Sequence, residues 1–371
     1  MGEASSMSLA EYAAAEVRLG DRGYQIYVGA GLSGRLGEIL AASKPEATGC
    51  VVVTSEPIGR LYGEAVADSL GGLSPRTLVV PDGEEAKEWE NAGTLLGRFL
   101  DAGLDRNGVV VALGGGAVGD LAGFAASIYM RGVAVVQVPT TLLGMVDSSI
   151  GGKTAVNHVK GKNMIGCFHQ PVAVVADPLL LRSLPIREVR SGLAEVVKHG
   201  VIADEALFRY VEENTKRLLE LDQECMSHII GRNAFIKTRY VEKDERDEKG
   251  VRAALNYGHT LGHAVEKLAS PRLRHGEAVS IGMVYAADLA VRMGTMEPEE
   301  AQVQRRVLEG IGLPTKLPAA LEADELIRYM RRDKKAEGGR ITMVLPTGIG
   351  SPPTLRMVEE SKLMEAMEAV T

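Results

Sequence analysis

The chain has 371 residues, 25% of them charged and 45% hydrophobic, with a formal net charge of −7. That length is long for one hydrophobic core and points to two domains, in a composition ordinary for a globular protein. The acidic balance excludes nucleic acid as the main partner, because binding a phosphate backbone needs a basic surface. Cys50, Cys167 and Cys225 are scattered without CxxC spacing. They suggest neither a disulfide framework nor a thiolate metal site, and a reducing cytoplasm is the simple expectation. The first residues lack a signal-peptide pattern, and no apolar run approaches the ~18 residues of a membrane helix, so no membrane partner is expected.

In chain order, residues 16–19 and 25–28 flank Asp21, Arg22 and Gly23 and read as a hairpin. The β-branched runs at 50–54, 77–80, 109–113, 133–138 and 172–176 read as buried parallel strands. Helical periodicity lies between them at 57–70, 85–102 and 117–130. This alternation implies an α/β domain with a mostly parallel, Rossmann-like sheet and helices on its faces. Beyond about Pro185 the pattern turns to amphipathic helices, at 185–200, 203–220, 223–242, 258–269, 276–293, 297–310 and 322–332. A strand signal returns only near 341–345. The expected division is 1–184, an α/β domain, and 185–371, a mainly α-helical domain, with the active site in the cleft between them.

The strand at 109–113 runs through VVVALGGGAVGD into Gly114, Gly115 and Gly116 and then a helix. Glycines at a strand-to-helix turn let backbone approach a pyrophosphate, whose charge is favoured at the helix N-terminus. The pattern is GGGxxGD rather than GxGxxG and sits on a later strand, so tight-turn glycines without a ligand remain an alternative. Thr140 and Thr141 follow the next strand and offer hydroxyls on the same sheet edge. Asp82 to Lys87 (DGEEAK) follows another strand end, with Glu84 able to take ribose hydroxyls. Together these suggest a dinucleotide site.

Residues 138–171, VPTTLLGMVDSSIGGKTAVNHVKGKNMIGCFHQP, set Asp147, Lys153, Asn157, His158, Lys160, Lys162, Asn163 and His169 among glycines and small residues. A charge run is usually a solvated loop. Lysines and asparagines on close-approach backbone instead suit a small anionic, hydroxyl-rich ligand: ammonium for phosphate or carboxylate, amides for hydroxyls. In an acidic protein this basic cluster is a local choice.

The helical half carries a candidate metal set. NYGHTLGHAVE puts His259 and His263 at i and i+4, on one helical face. His275 begins HGEAV, and Glu195 lies beside Lys198 and His199 in GLAEVVKHG, where packing does not explain an acid. Three ligands with an open position would make a catalytic zinc site. Partly buried structural histidines are the competing reading, and on spacing alone the i, i+4 pair is the obvious ligand choice.

These elements together resemble the 3-dehydroquinate synthase family of sugar phosphate cyclases over nearly the whole chain. The resemblance rests on PDGEEAKEWE, GGGAVGD, VPTTLLGMVDSSIGGKT with GKNMIGCFHQP, SGLAEVVKHG, DERDEKGVRAALNYGHTLGHAVE, HGEAVSIGM and a late RDKK. It implies a lyase that converts 3-deoxy-D-arabino-heptulosonate 7-phosphate to 3-dehydroquinate and phosphate, step two of the shikimate pathway to chorismate and the aromatic amino acids. It implies NAD+ as a recycled cofactor, a divalent metal (Zn2+ or Co2+), and a cytoplasmic homodimer. Matched motif by motif, it makes Glu195, His259 and His275 the metal ligands and gives His263 a substrate-contacting, proton-handling role. Catalytic roles fall on His263, Lys198, Lys153 and Asn256. Substrate contacts fall on Arg131, Asp147, Lys153, Lys162, Asn163, Lys198, Lys237, Arg252, Asn256, His263, His275 and Lys334 or Lys335, with the Arg252 position contributed across subunits in some members. The NAD site comprises Asp82, Gly83, Glu84 and Lys87; Gly114, Gly115, Gly116, Ala117, Val118, Gly119 and Asp120; Thr140 and Thr141; Lys153 and Lys162; and Leu180, Leu181, Arg182 and Ser183.

Two loops depart from the family pattern. DERDEKGVR is one residue longer than usual, and residues 269–274 (ASPRLR) lack the common aromatic and glycine residues. Three rivals remain: a sister cyclase acting on another sugar phosphate, a metal-dependent polyol dehydrogenase, and a catalytically silent sugar-phosphate- or NAD-binding regulator. The intact DSSIGGKTAVNH argues against the first, and the Lys153, Lys162 and Asn163 cluster against the second. The third would lack a ligand or substrate lysine, and none is missing.

Overall fold

A computed structural model of the chain describes residues 8–333 and 340–371. Lys334 and Lys335 lie outside the described residues. The chain divides into two compact units, Met1–Leu184 with Met226–Glu242, and Pro185–Cys225 with Lys243–Thr371. A single cut after residue 184 was expected from sequence; here most of the helix Gln223–Lys243 groups with the sheet-containing unit.

The first unit is built on β1 (Ala13–Val17), β2 (Tyr24–Val28), β3 (Cys50–Ser55), β4 (Arg76–Val80), β5 (Val109–Gly114), β6 (Ala134–Pro139) and, after a separate hairpin of β7 (Lys153–His158) and β8 (Gly161–Phe168), β9 (Ala173–Ala176). The seven-stranded sheet has the order β1-β2-β9-β6-β5-β3-β4. All its pairings are parallel except β1 with β2, the expected hairpin. β3 and β5 are buried at every position, which is why their sequences are near-continuous β-branched runs rather than alternating ones. On one face Phe99, Leu121, Ala122 and Ala125 close the core against Val51, Val53 and Val110.

The chain passes from β3 outward to β4, then returns to the other side of β3 as β5. The direction of winding therefore reverses between β3 and β5, and a crevice opens at their carboxyl ends where open α/β sheets bind ligands. The glycine turn follows β5 and leads into helix α1 (Gly116–Ile128). At the other side, the fully buried Asp177 follows β9. Its carboxylate accepts from the N–H groups of Gly31, Ser33 and Leu179, each at 3.0 Å, and from the Ser33 hydroxyl at 2.7 Å. It staples the turn after β2 to the end of β9.

The Gly-rich stretch around Lys153 is not an open loop. It folds as an antiparallel hairpin with Lys153 opposite Phe168 and His158 opposite Gly161. Thr154 and Val156 turn inward while Lys153, Met164 and Phe168 face outward. Period-two alternation explains the pattern, and the glycines concealed it in the sequence.

The second unit is helical, with α2 (Ile186–Ala203), most of the remaining length after α3 (Gln223–Lys243) in α4 (His259–Ala269), α5 (His275–Arg292) and further helices at Glu205–Leu219, Pro298–Ile311 and Ala323–Asp333. The expected strand near 341–345 is β10 (Arg340–Leu345), and its antiparallel partner β11 (Thr354–Glu359) was not foreseen. No described helix is long and apolar enough to cross a membrane.

Candidate active site

Three helices of the second unit bring the acid and the histidines together because glycine lets them pack closely. A Cβ on Gly282 of α5 would lie 1.9 Å from the carbonyl oxygen of Gly258, the residue that opens α4. A Cβ on Gly276 would lie 2.1 Å from the Ser191 carbonyl of α2, and the Gly276 N–H instead donates to Ser191 Oγ at 2.9 Å. Contacts this short tolerate no side chain. They fix α4 and α5 on each other, and α5 on α2.

At the centre is Glu195, fully buried on α2. Its Oε1 is 3.5 Å from His259 Nε2 and 3.2 Å from His275 Nε2, and the three donor atoms lie within 4.8 Å of one another. Metal–ligand bonds of ~2.0–2.1 Å at a tetrahedral angle place neighbouring donors about 3.3–3.4 Å apart, so the spacing fits Zn2+ or a similar divalent cation. The other nitrogens fit as well. His259 Nδ1 lies 2.9 Å from the Tyr257 carbonyl and His275 Nδ1 2.9 Å from Glu266 Oε2. Carbonyl and carboxylate only accept, so each Nδ1 carries hydrogen and Nε2 is the nitrogen left to face a cation.

The electrostatics agree with a cation site. Burial pushes the His259 imidazole down to about 3, against the pull of Glu195, so it stays neutral as a ligand must. Burial opposes charge on Glu195 too, but Lys198, paired with it on the next turn of α2, and then the two histidines hold its carboxyl well below the usual range. His275 goes the other way. Burial works against its charged form, yet the hydrogen bonds to Glu195 and Glu266 outweigh it and raise the imidazole to about 10. In the metal-free protein that proton occupies part of the negative field a divalent cation would take over.

His263 is not in the trio. Its ring centroid lies 5.2 Å from that of His259 and 6.4 Å from that of His275, beside the cluster on the same face of α4. The i, i+4 spacing thus finds one ligand and one neighbour. Asn256 is half-buried at the end of the turn before α4. Arg252 is buried, its Nη1 donating to the Glu245 carbonyl at 3.0 Å of the same protomer, while its Nε has no hydrogen-bond partner among the described residues. The long acidic loop before it is organised by the buried Asp244, which accepts from the backbone N–H groups of Glu248, Lys249, Val251 and Arg252 at 2.9–3.4 Å.

In the first unit the carboxyl ends of β3, β5 and β6 line up. Gly114 pairs with Pro139, and the Thr140 N–H donates to the Gly114 carbonyl at 2.9 Å. Thr141 Oγ1 accepts from the Gly144 N–H at 3.0 Å and caps the following turn. Thr140 Oγ1, and Ser55 Oγ at the end of β3, are buried with no hydrogen-bond partner among the described residues. Two orphan hydroxyls flanking a glycine turn and a helix N-terminus fit a dinucleotide, whose phosphates and ribose would supply the missing partners. Sequence reasoning missed Ser55, although its position one residue past CVVVT was the available signal.

Three further NAD-site candidates, Glu84, Lys87 and Asp120, are joined in one network through Asn157 and Asn163. Lys87, 4% exposed, pairs with Asp120 on the first turns of α1 and donates to Asn163 Oδ1. The Asn163 N–H donates to Asn157 Oδ1 at 3.0 Å, and Asn157 Nδ2 donates to Glu84 Oε1 at 2.6 Å. Burial raises the Asp120 carboxyl above its usual range, with Lys87 opposing. Asp82 immediately precedes the short Gly83–Lys87 helix without a side-chain capping bond to it, Val118 packs against the turn, and Ala117 and Gly119 lie half-buried on the first turn of α1. Leu180 and Leu181 are core residues, leaving only their backbone to a cofactor. Arg182 and Ser183 are exposed, Ser183 Oγ accepting from the Tyr62 hydroxyl at 2.8 Å.

The basic cluster does not gather as expected. Asn163 joins Lys87 and Asp120, and Lys153 and Lys162 sit near opposite ends of the hairpin, about four residues or ~13 Å apart by strand rise. Lys237, 5% exposed on α3, is tied to the carboxylate and carbonyl of Asp147. Arg131 is exposed, with φ at +70°.

Models of known families match this chain in two adjoining parts: 3-dehydroquinate synthase N-terminal over residues 77–191 and 3-dehydroquinate synthase C-terminal over residues 192–336. The 3-dehydroquinate synthase of Desulforamulus reducens is 43% identical over 355 residues, 95% of this chain and 98% of its own. That of Geobacter metallireducens is 47% identical over 354 residues, 94% and 97% of the two chains. Among solved structures, 2-deoxy-scyllo-inosose synthase complexed with carbaglucose-6-phosphate, NAD+ and Co2+ is similar at TM-score 0.88 and 27% identity, over 96% of this chain and 100% of that one. The 2-epi-5-epi-valiolone synthase of Streptomyces hygroscopicus, with NAD+ and Zn2+ bound, follows at TM-score 0.84 and 28% identity, over 94% and 96%.

Proposed function

The chain belongs to the 3-dehydroquinate synthase family, and we propose that it converts 3-deoxy-D-arabino-heptulosonate 7-phosphate to 3-dehydroquinate and phosphate as a cytoplasmic homodimer. The observation that carries this reading to the chain's own residues is the convergence of Glu195, His259 and His275 with both Nδ1 atoms already engaged. When bound, NAD+ would take a hydride from the substrate's C5 and later return it, and Zn2+ or Co2+ would polarise the oxygen at that carbon.

The chain's residues do the rest. Glu195, His259 and His275 hold the cation, and Lys198 balances the Glu195 charge while presenting an ammonium at the same place. His263 handles the proton of the substrate hydroxyl, close enough to the metal ligands to meet a group bound there. Asn256 orients the hydroxyls. The turn from Gly114 to Asp120, with Thr140 and Ser55, cradles the dinucleotide, and Glu84, Lys87 and Asp120 set its register. Lys153 and Lys162 recognise the anionic ends of the bound molecules from separate positions on the hairpin. Lys237 and Asp147 act as a pair, and Arg131 and Arg252 add cationic contacts.

The experiment is phosphate release from the heptulosonate phosphate with and without NAD+ and Zn2+, with sedoheptulose 7-phosphate as control. Phosphate and dehydroquinate should appear together while NADH absorbance stays flat, because the hydride is returned. Stoichiometric NADH would make the protein a dehydrogenase, and preference for the control would make it a sister cyclase.

A further inference from the structure

His259 and His275 are both metal-ligand candidates, yet the fold holds them by different means. The His259 side chain is 9% exposed and its Nδ1 is fixed by a backbone carbonyl two residues away. His275 is the first residue of α5, its side chain is 28% exposed, and among the described residues no backbone acceptor reaches its Nδ1. What reaches it is Glu266 Oε2, at 2.9 Å. Glu266 lies seven residues after His259 and three after His263, so α4 presents all three on one face.

We propose that Glu266 is a positioning residue of the metal centre, whose carboxylate accepts the His275 Nδ1 hydrogen and so keeps Nε2 turned toward the cation. This rests on the reading of Glu195, His259 and His275 as ligands. An imidazole at a helix start, partly in solvent, has two ring flips available, and only one offers Nε2 beside Glu195. A carboxylate on the far nitrogen removes the other and makes the ring a better donor. The Tyr257 carbonyl does the same work for His259, so Glu266 supplies for one ligand what the backbone supplies for the other.

The test uses the full-length protein stripped of metal, with zinc affinity read by competition against a chromophoric chelator. Glu266→Ala should weaken zinc binding roughly ten- to a hundredfold, the usual loss for an outer-sphere partner. Glu266→Gln keeps an acceptor without the charge and should recover part of that loss. Circular dichroism and the melting temperature of the metal-free variants check the fold, and Glu266→Gln, the nearer isostere, carries the test if Glu266→Ala does not fold. Zinc affinity unchanged in Glu266→Ala overturns the proposal, as does an equal loss in both variants, which would reduce Glu266 to a distant charge. His259→Ala serves as the control: if it too binds zinc like the parent, the ligand reading fails first, independently of Glu266.

Discussion

The metal cluster and the basic hairpin were both conspicuous in the sequence, and they are organised in opposite ways. Around Glu195 the ligand atoms already stand at coordination distances, on helices locked together by glycine contacts. On β7 and β8 the expected anion cluster is spread along the strands, and Asn163 is engaged by Lys87. Helix packing with no room for a methyl group makes a preformed site. A two-stranded hairpin whose basic side chains face outward sets Lys153 and Lys162 at separate points along its strands.

The sharpest way to break the contrast is to remove its most buried member. Glu195→Ala should abolish stoichiometric zinc and lower turnover by more than the roughly hundredfold cost of losing an outer partner. It should also destabilise the protein by about 3–5 kcal/mol, because Lys198, 1% exposed, loses its carboxylate. Metal analysis and denaturant melts read the two effects. Next, His263→Ala should retain zinc while turnover falls roughly a hundred- to ten-thousandfold, the range for a lost acid–base group. Zinc lost with His263 would restore the i, i+4 pair as the ligand set.

The hairpin side calls for smaller effects. Lys87→Met breaks the link between Asp120 and Asn163 and should weaken NAD+ binding by ~1.5–3 kcal/mol, roughly ten- to a hundredfold by calorimetry. Lys153→Ala should weaken a nonhydrolysable phosphonate analogue of the substrate by a similar factor. Because Lys153 and Lys162 stand apart, their alanine variants should add to within about 0.5 kcal/mol in a double-mutant cycle. A larger coupling would mean the two ammonium groups converge on one anion, and the contrast between the regions would narrow.

Much of this was legible from residues alone. The parallel strands were found because β3, β5, β6 and β9 are buried on both faces and therefore continuous in β-branched residues. The helices of the second unit were found from their period. The hairpin at Lys153 was hidden because Gly161 and Gly166 interrupt an alternation that its outward lysines and methionine already blur. Glycine there reads as loop when it in fact allows strands to pass closely. Spacing named His259 and His263, but ligand choice depends on where α2 and α5 approach α4. That is set by Gly276 and Gly282, residues with no chemistry of their own. Glu266 was on the same face as both histidines, yet its role needed the position of His275 to be visible. The resemblance to the family supplied the ligand set that spacing could not.

Asp177 bears on how the chain is made. The turn it holds after β2 is 146 residues upstream of it, and β9 is the strand that completes β2 on its inner side. At synthesis rates of ~5–20 residues per second, the first hairpin waits roughly 7–30 s for that neighbour to leave the ribosome. Throughout this interval an apolar strand that includes Ile26, fully buried in the finished sheet, offers an open hydrogen-bonding edge to any passing chain. The inner edge of β2 is therefore paired only after the segment that carries the glycine turn and the basic hairpin has been made.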